Sequence, residues 1–189
     1  VTVFARLGWM FLTQTRGKRA DVFATTRIKT ATLPNDLDMN RHVNNGRYLS
    51  LADLSRFDWF YRTGSLQTAF KHQAFPIIGD VTARYVKQAR AFEKLDIETR
   101  LLGWDQKWAF LETRLLNSRG ELVAMVLIRG MFWSRKGGLK PAELLKLAGY
   151  GDRESPVLPD WVQLWSRSLE ALSASARAAR AGTAMEQAA

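Results

Sequence analysis

The sequence predicts an α+β fold in which one antiparallel sheet wraps a single buried helix. Three observations point there. A segment of about twenty residues in the first third of the chain is apolar on nearly every side, as a helix inside a core must be. Short segments of strand character follow it in quick succession, with turn signals between them. The length, 189 residues, suits one core with helical extensions better than two domains.

The opening VTVFARLGWMFLTQTRGKR is read as an N-terminal helical segment, residues 1–21. Its apolar stretch is broken by Arg6, and Arg16, Lys18 and Arg19 follow it rather than lead it. Neither a secretory leader nor a span of roughly 20 apolar residues fits that pattern. The expectation is a soluble cytoplasmic protein with this helix packed on the domain. The alternative is an interfacial helix whose Trp9, Phe11 and Leu12 dip into lipid beside the basic residues.

Val22 to Thr32 are β-branched and aromatic with polar interruptions, which predicts a first strand ended by Pro34. PNDLDMN is rich in turn and capping types, so a helix is expected to begin close to His42 and run from about Val43 to Arg62, where Gly64 stops it. After a connector through His72 and Pro76, strand two lies around Ile77 to Val86. KLDIETRLL alternates, with Leu95, Ile97, Thr99 and Leu101 on a buried face and Asp96, Glu98 and Arg100 on a wet one. GWDQKW is read as a turn, WAFLETRLL as the next strand and NSRG as a tight turn. LVAMVLIRGMFW, unbroken in its apolar middle, reads as a central strand covered on both faces. These elements make a domain over residues 22–135.

KPAELLKLAG and DWVQLWSRSLEAL read as two further helices, separated by a linker from Ser155 to Pro159, which gives a C-terminal helical extension over residues 136–175. The small-residue end ARAARAGTAMEQAA, residues 176–189, is expected to be a flexible tail. A long buried helix followed by antiparallel strands describes the hot-dog fold, although the same pattern permits a cystatin-like or ferredoxin-like wrapping.

Composition removes several kinds of chemistry. With no Cys there is no disulfide, thiolate metal site or Cys nucleophile, and with two His no common His-rich zinc site, so neither metal nor cofactor is expected. The formal charge of +10 attracts polyanions, but the basic residues are spread along the chain, which argues against nucleic acid as a partner. No GxSxG, GxGxxG or GxxxxGK[ST] motif occurs.

What remains is a carboxylate. A hydrolytic site built on an acid needs that acid as base or nucleophile near the atom attacked, and a donor for the charge that develops on oxygen. Asp38 stands just before the expected helix, where the positive helix end and free N–H groups suit a carboxylate. N–H groups near Asn45 and Gly46 are placed to polarise a carbonyl. Asp36 and Asp38 have a simpler reading as helix caps. Asp53 and Arg56, one turn apart, either contact substrate or form a helix ion pair. Phe57, Trp59, Phe60 and Phe75 are candidates for a pocket lining or for plain core.

The segment PNDLDMNRHVNNGRYL, through Asp36, Asp38, His42, Asn44, Asn45 and Tyr48, resembles the signature of the 4-hydroxybenzoyl-CoA thioesterase family and of the related plant acyl-ACP thioesterases. LDMNRHVNNGRYL together with TRLLGWD and PVLPDWVQLW is similar to the group called thioesterase superfamily member six, although members of that group often begin with a longer apolar anchor. The resemblance implies a hot-dog fold and hydrolysis of an acyl thioester, of CoA or acyl carrier protein, to acid and thiol. It implies that the second acid of the pair, Asp38, is the base or nucleophile, with Asn40 and His42 orienting water or the carboxylate. Asn44, Asn45, Gly46 and Tyr48 then form the substrate-binding set, with Tyr48 also readable as a packing residue. A homodimer or larger homo-oligomer is expected, since joining sheet edges closes an exposed edge. The rival expectation is a module that binds acyl-CoA or acyl carrier protein without turning it over.

Overall fold

The computed structural model describes residues 2–188, and side chains over residues 4–179. It divides into two compact units, residues 1–156 and residues 157–189.

The first unit opens with α1 (Thr2–Met10), which continues as a π-helical turn through Thr15. β1 (Thr26–Ala31) is shorter than its β-branched composition predicts. The reason is local: Asp21 accepts from the N–H of Phe23 with its side chain and from that of Ala24 with its carbonyl, which turns the backbone before the strand starts. After the loop that carries the motif comes α2 (Asn45–Arg62), then α3 (Ser65–Lys71). α3 stands where the sequence predicts a connector. Gly64, at φ +75°, joins the two helices in a conformation that a side chain disfavours.

Four long strands follow: β2 (Phe75–Tyr85), β3 (Lys94–Trp104), β4 (Ala109–Asn117) and β5 (Leu122–Ser134), with a short β6 (Gly137–Leu139) folded back on β5. All pairings are antiparallel, in the order β1-β3-β4-β5-β2. β5 is therefore interior, as its apolar run predicts, and β1 and β2 are the sheet edges. The turn expected over GWDQKW is narrower, because Gly103 and Trp104 stay in β3. Asp105 closes it by accepting from the N–H groups of Lys107 and Trp108, both at 2.7 Å. The unit ends with α4 (Pro141–Leu145) and a π-helical turn to Tyr150 that contains Gly149 at φ +92°.

The core lies where the sheet curls against α2. Leu95, Ile97, Thr99 and Leu101 are all buried, as the alternation in β3 requires. Leu95, Ile97 and Leu101 cluster with Leu51, Ala52, Leu54 and Trp59 of α2, Leu115 of β4, and Val126 and Ile128 of β5. Each fully buried Leu or Ile there contributes about 1.5–3 kcal/mol. One polar seam crosses this interface and satisfies itself: Thr99 donates to Ser55 Oγ at 2.9 Å, and its oxygen lies 3.0 Å from Thr113 Oγ1.

α1 and its π-helical turn are held from beneath by charge as well as packing. Met10 is buried, and Asp58 of α2, fully buried, accepts from Thr15 Oγ1 at 2.5 Å and from Arg62 Nε at 2.8 Å. Burial pushes the Asp58 carboxyl up despite these donors.

The second unit is built on α5 (Asp160–Ala188), whose first turn follows Pro159. The helix runs on past residue 175 because the small residues there are largely Ala, the strongest helix former. Among the described residues no helix is long and apolar enough to cross a membrane.

Candidate active site

The motif forms a tight loop between β1 and α2. Leu37 and Val43 pair as an isolated bridge, with the Asp38 N–H on the His42 carbonyl at 2.9 Å and the Arg41 N–H on the Asp38 carbonyl at 3.1 Å. Arg41 takes a positive φ of 59° at the tip of this turn. The Val43 N–H donates to the Ala89 carbonyl at 2.9 Å, which fixes the loop to the segment between β2 and β3. The helix starts two residues later than its capping pattern indicates, since Val43 belongs to the bridge and Asn44 is the cap.

The two acids of the motif have different surroundings. Asp36 is buried. Its oxygens accept from Arg6 Nη1 at 3.3 Å, from Arg6 Nη2 at 2.6 Å and from the Leu33 N–H at 2.8 Å, and its carbonyl takes the Asn44 N–H. Asp38 is half-buried, and its Oδ1 accepts the Asn40 N–H at 2.8 Å. Among the described residues Asp38 Oδ2 has no hydrogen-bond partner.

Asn40 and His42 are brought to Asp38 through the main chain, the one by its N–H and the other by its carbonyl. Asn44, Asn45 and Gly46 are exposed at the helix start. Asn44 Oδ1 accepts the Gly46 N–H at 2.9 Å, which satisfies one of the free donors of the first turn. The Asn45 N–H keeps no partner among the described residues, while its carbonyl accepts from the Tyr85 hydroxyl at 3.1 Å. Tyr48 points inward. It is 2% exposed, and its hydroxyl accepts the Ala89 N–H at 3.1 Å. Burial pushes that hydroxyl's pKa up.

Two turns further along α2, a cavity of about 150 Å³ opens between the helix, the sheet and α4. Phe57, Trp59 and Phe60 line it together with Ile77, Leu101, Leu111, Ile128, Phe132 and Leu144. Phe75 is not among its walls; it is largely exposed against Phe70. Asp53 and Arg56 do form the ion pair, and both also line the cavity. None of the motif residues from Asp38 to Gly46 lies on its wall. With about 1.5 Å of rise per residue, Asp53 stands roughly 12 Å along the helix from Asn45.

Sequence reasoning missed Arg6 as a partner of the motif and Ala89 as its anchor. Arg6 carried one signal, a lone charge inside an apolar helical stretch. Ala89 carried none, because its contribution is main-chain.

Residues 32–166 match the thioesterase-like superfamily. Over 148 residues the chain is 34% identical to protein THEM6 of Xenopus laevis, covering 77% of this chain and 69% of that protein. Among solved structures, the probable thioesterase YbaW of Escherichia coli superposes with a TM-score of 0.61 at 22% identity, over 67% of this chain and 97% of that one. A 4-hydroxybenzoyl-CoA thioesterase variant in complex with 4-hydroxybenzoyl-CoA superposes with a TM-score of 0.58 at 19% identity, over 66% and 98%. The resemblance carried by the motif and by the later TRLLGWD and PVLPDWVQLW segments is thereby borne out in both fold and family, and the chain belongs to the thioesterase-like superfamily of hot-dog thioester hydrolases.

Proposed function

We propose that the chain hydrolyses acyl-CoA to a free acid and CoA, with Asp38 as the base that activates water or as the nucleophile itself. The observation that carries this reading is the contrast between the two acids. Asp36 has its oxygens engaged by Arg6 and Leu33, whereas among the described residues Asp38 Oδ2 and the Asn45 N–H at the helix start have no partner. A carboxylate and a main-chain donor at one helix start supply the two things thioester hydrolysis needs. Asn40 and His42 set the carboxylate's position, and Asn44 sets the helix start.

CoA as the thiol is supported by charge and by likeness. Arg41 and Arg47 lie in the motif, and Arg84 and Arg90 adjoin Tyr85 and Ala89, which bond to it. None of the four is ion-paired among the described residues, so all are open to phosphate. The solved thioesterase described above is bound to 4-hydroxybenzoyl-CoA.

The active unit in this reading is a homodimer joined along β2. That edge strand exposes Phe75, Ile77, Ile78, Val81 and Tyr85, an apolar row that a lone chain leaves in water. Asp38→Asn is the test: the variant folds and keeps the oligomeric state of the parent, and thiol release from an acyl-CoA panel falls by about 10²–10⁴-fold. Hydrolysis at the parent rate overturns the assignment. Tight acyl-CoA binding by the parent without thiol release leaves a binding module instead.

A further inference from the structure

The cavity beside α2 is lined mostly by apolar side chains; Ser65 of α3, already within 3.0 Å of Thr63 Oγ1, is one exception, and Asp53 and Arg56 on α2 are the charged ones. Arg56 is 4% exposed, and Trp59, one turn on, is 2% exposed. Both line the cavity. Each has a buried nitrogen with no hydrogen-bond partner among the described residues, Nη1 of Arg56 and Nε1 of Trp59. Arg56 spends Nη2 on Asp53, whose own side chain is 44% exposed, so the ion pair uses one edge of the guanidinium and leaves the other.

Position 56 is a place for an aliphatic residue. Its neighbours along the helix face are Ala52, Trp59 and Phe60, and across the cavity stand Leu101 and Leu111. A buried polar group without a partner is disfavoured unless something later supplies one. Here two donors lie one helical turn apart on residues that wall one largely apolar chamber, and a guanidinium N–H and an indole N–H can only give hydrogen bonds, never accept them. What they lack is an acceptor oxygen. Asp53 already places a carboxylate on the same wall, which opposes a second anion and favours a neutral oxygen.

We propose that Arg56 and Trp59 form an oxygen-reading subsite in the acyl cavity, and that the substrates are long acyl thioesters carrying a hydroxyl or keto oxygen far from the thioester. This rests on the acyl-CoA reading above. The distance supports it: Arg56 is about 16 Å along the helix from Asn45, so the oxygen it reads sits well down the acyl chain. Met at position 56 fills similar volume and donates nothing, and Phe at position 59 keeps an aromatic ring and drops the N–H.

The test compares hydroxy-, oxo- and plain saturated acyl-CoA of equal chain length on the parent, Arg56→Met and Trp59→Phe. The parent is expected to favour the oxygenated substrates by about tenfold or more in kcat/KM, and both variants to bring that ratio towards one. A ratio near one in the parent, or a ratio the variants leave unchanged, overturns the subsite. If the parent hydrolyses none of them, the hydrolysis reading fails by itself, and the subsite is judged by calorimetry on the free acids. Hydroxy acid binding about tenfold tighter than saturated acid, with the margin lost in Trp59→Phe, upholds it; equal binding overturns it. Should Arg56→Met fail to fold, Trp59→Phe alone decides between these two outcomes.

Discussion

At its N-terminal end α2 begins on a loop where Asp38, Asn40, Asn44 and Gly46 meet solvent, ordered by main-chain hydrogen bonds over a few residues. From Asp53 to Phe60 the same helix faces a largely apolar chamber whose walls come from α2, α3, α4 and four of the six strands. The first region is chemistry held by local geometry, and the second is shape held by distant packing. One helix joins the two, so in the proposed reading it sets the distance between the carboxylate that reacts and the chamber that receives the acyl chain. The difference also dictates how each should break. Changes at the loop alter rate with little loss of stability, while changes around the chamber alter selectivity and stability together.

The largest expected effect lies at Asp38. Among the described residues its side chain is engaged by a single hydrogen bond, so Asp38→Asn should keep the parent's urea midpoint while thiol release drops by about 10²–10⁴-fold. Asp36, two residues earlier, should do the reverse. Arg6→Ala leaves the buried Asp36 carboxylate without its cation, and breaking such a pair costs about 3–5 kcal/mol. Chemical denaturation of the two variants side by side separates a reacting acid from a structural one. A large stability loss in Asp38→Asn would dissolve the distinction.

The chamber is tested by filling it. Ala109 of β4 lines it and is half-buried, so Ala109→Leu adds bulk there without touching the loop. Hydrolysis of long acyl-CoA relative to short should fall by about tenfold, the scale of one or two methylenes in an apolar pocket. Overpacking is also expected to cost about 1–3 kcal/mol of stability. Equal losses on long and short substrates would mean that the acyl group does not reach this chamber. At the loop, Asn44→Ala removes the cap on Gly46 and should cost about 1 kcal/mol in urea, with a smaller loss of rate than Asp38→Asn.

These two regions are unequally legible in the sequence, for the same reason that they break differently. The loop can be read because its residues are neighbours: PNDLDMN announces caps and turns, and the family resemblance singles out Asp38 over Asp36. The alternation Leu95, Ile97, Thr99, Leu101 likewise locates the buried face of β3, since a strand's period of two is a local property. The chamber cannot be read. Phe57 and Phe60 line it, but nothing in their spacing distinguishes a wall from a core, and Phe75, of the same type, stands outside it. Asp53 and Arg56 are readable as a helix pair, yet the unpaired edge of Arg56 depends on strands more than forty residues away. Arg6 is visible only as an interruption, because its partner Asp36 is thirty residues on.

The smallest expected effect serves as a control on the carboxylates. Glu121 belongs neither to the motif loop nor to the chamber wall; it stands at the β4–β5 turn. Hydrogen bonds from Lys87 and Asn117, with Arg119 nearby, hold its carboxyl at about 2, well below the usual carboxylate range. A depressed folded-state pKa means that the contribution to stability is present above the unfolded value of 4.5 and is lost as pH falls through about 2. Glu121→Gln should therefore be slightly less stable than the parent at neutral pH. That gap should close on acidification, read as converging urea midpoints between about pH 5 and pH 2. Because the carboxylate is open to solvent, the gap should also shrink in high salt, and thiol release at neutral pH should not move. If Glu121→Gln instead lowered the rate as Asp38→Asn does, charge on the surface as a whole, and not one carboxylate at the start of α2, would be governing the reaction.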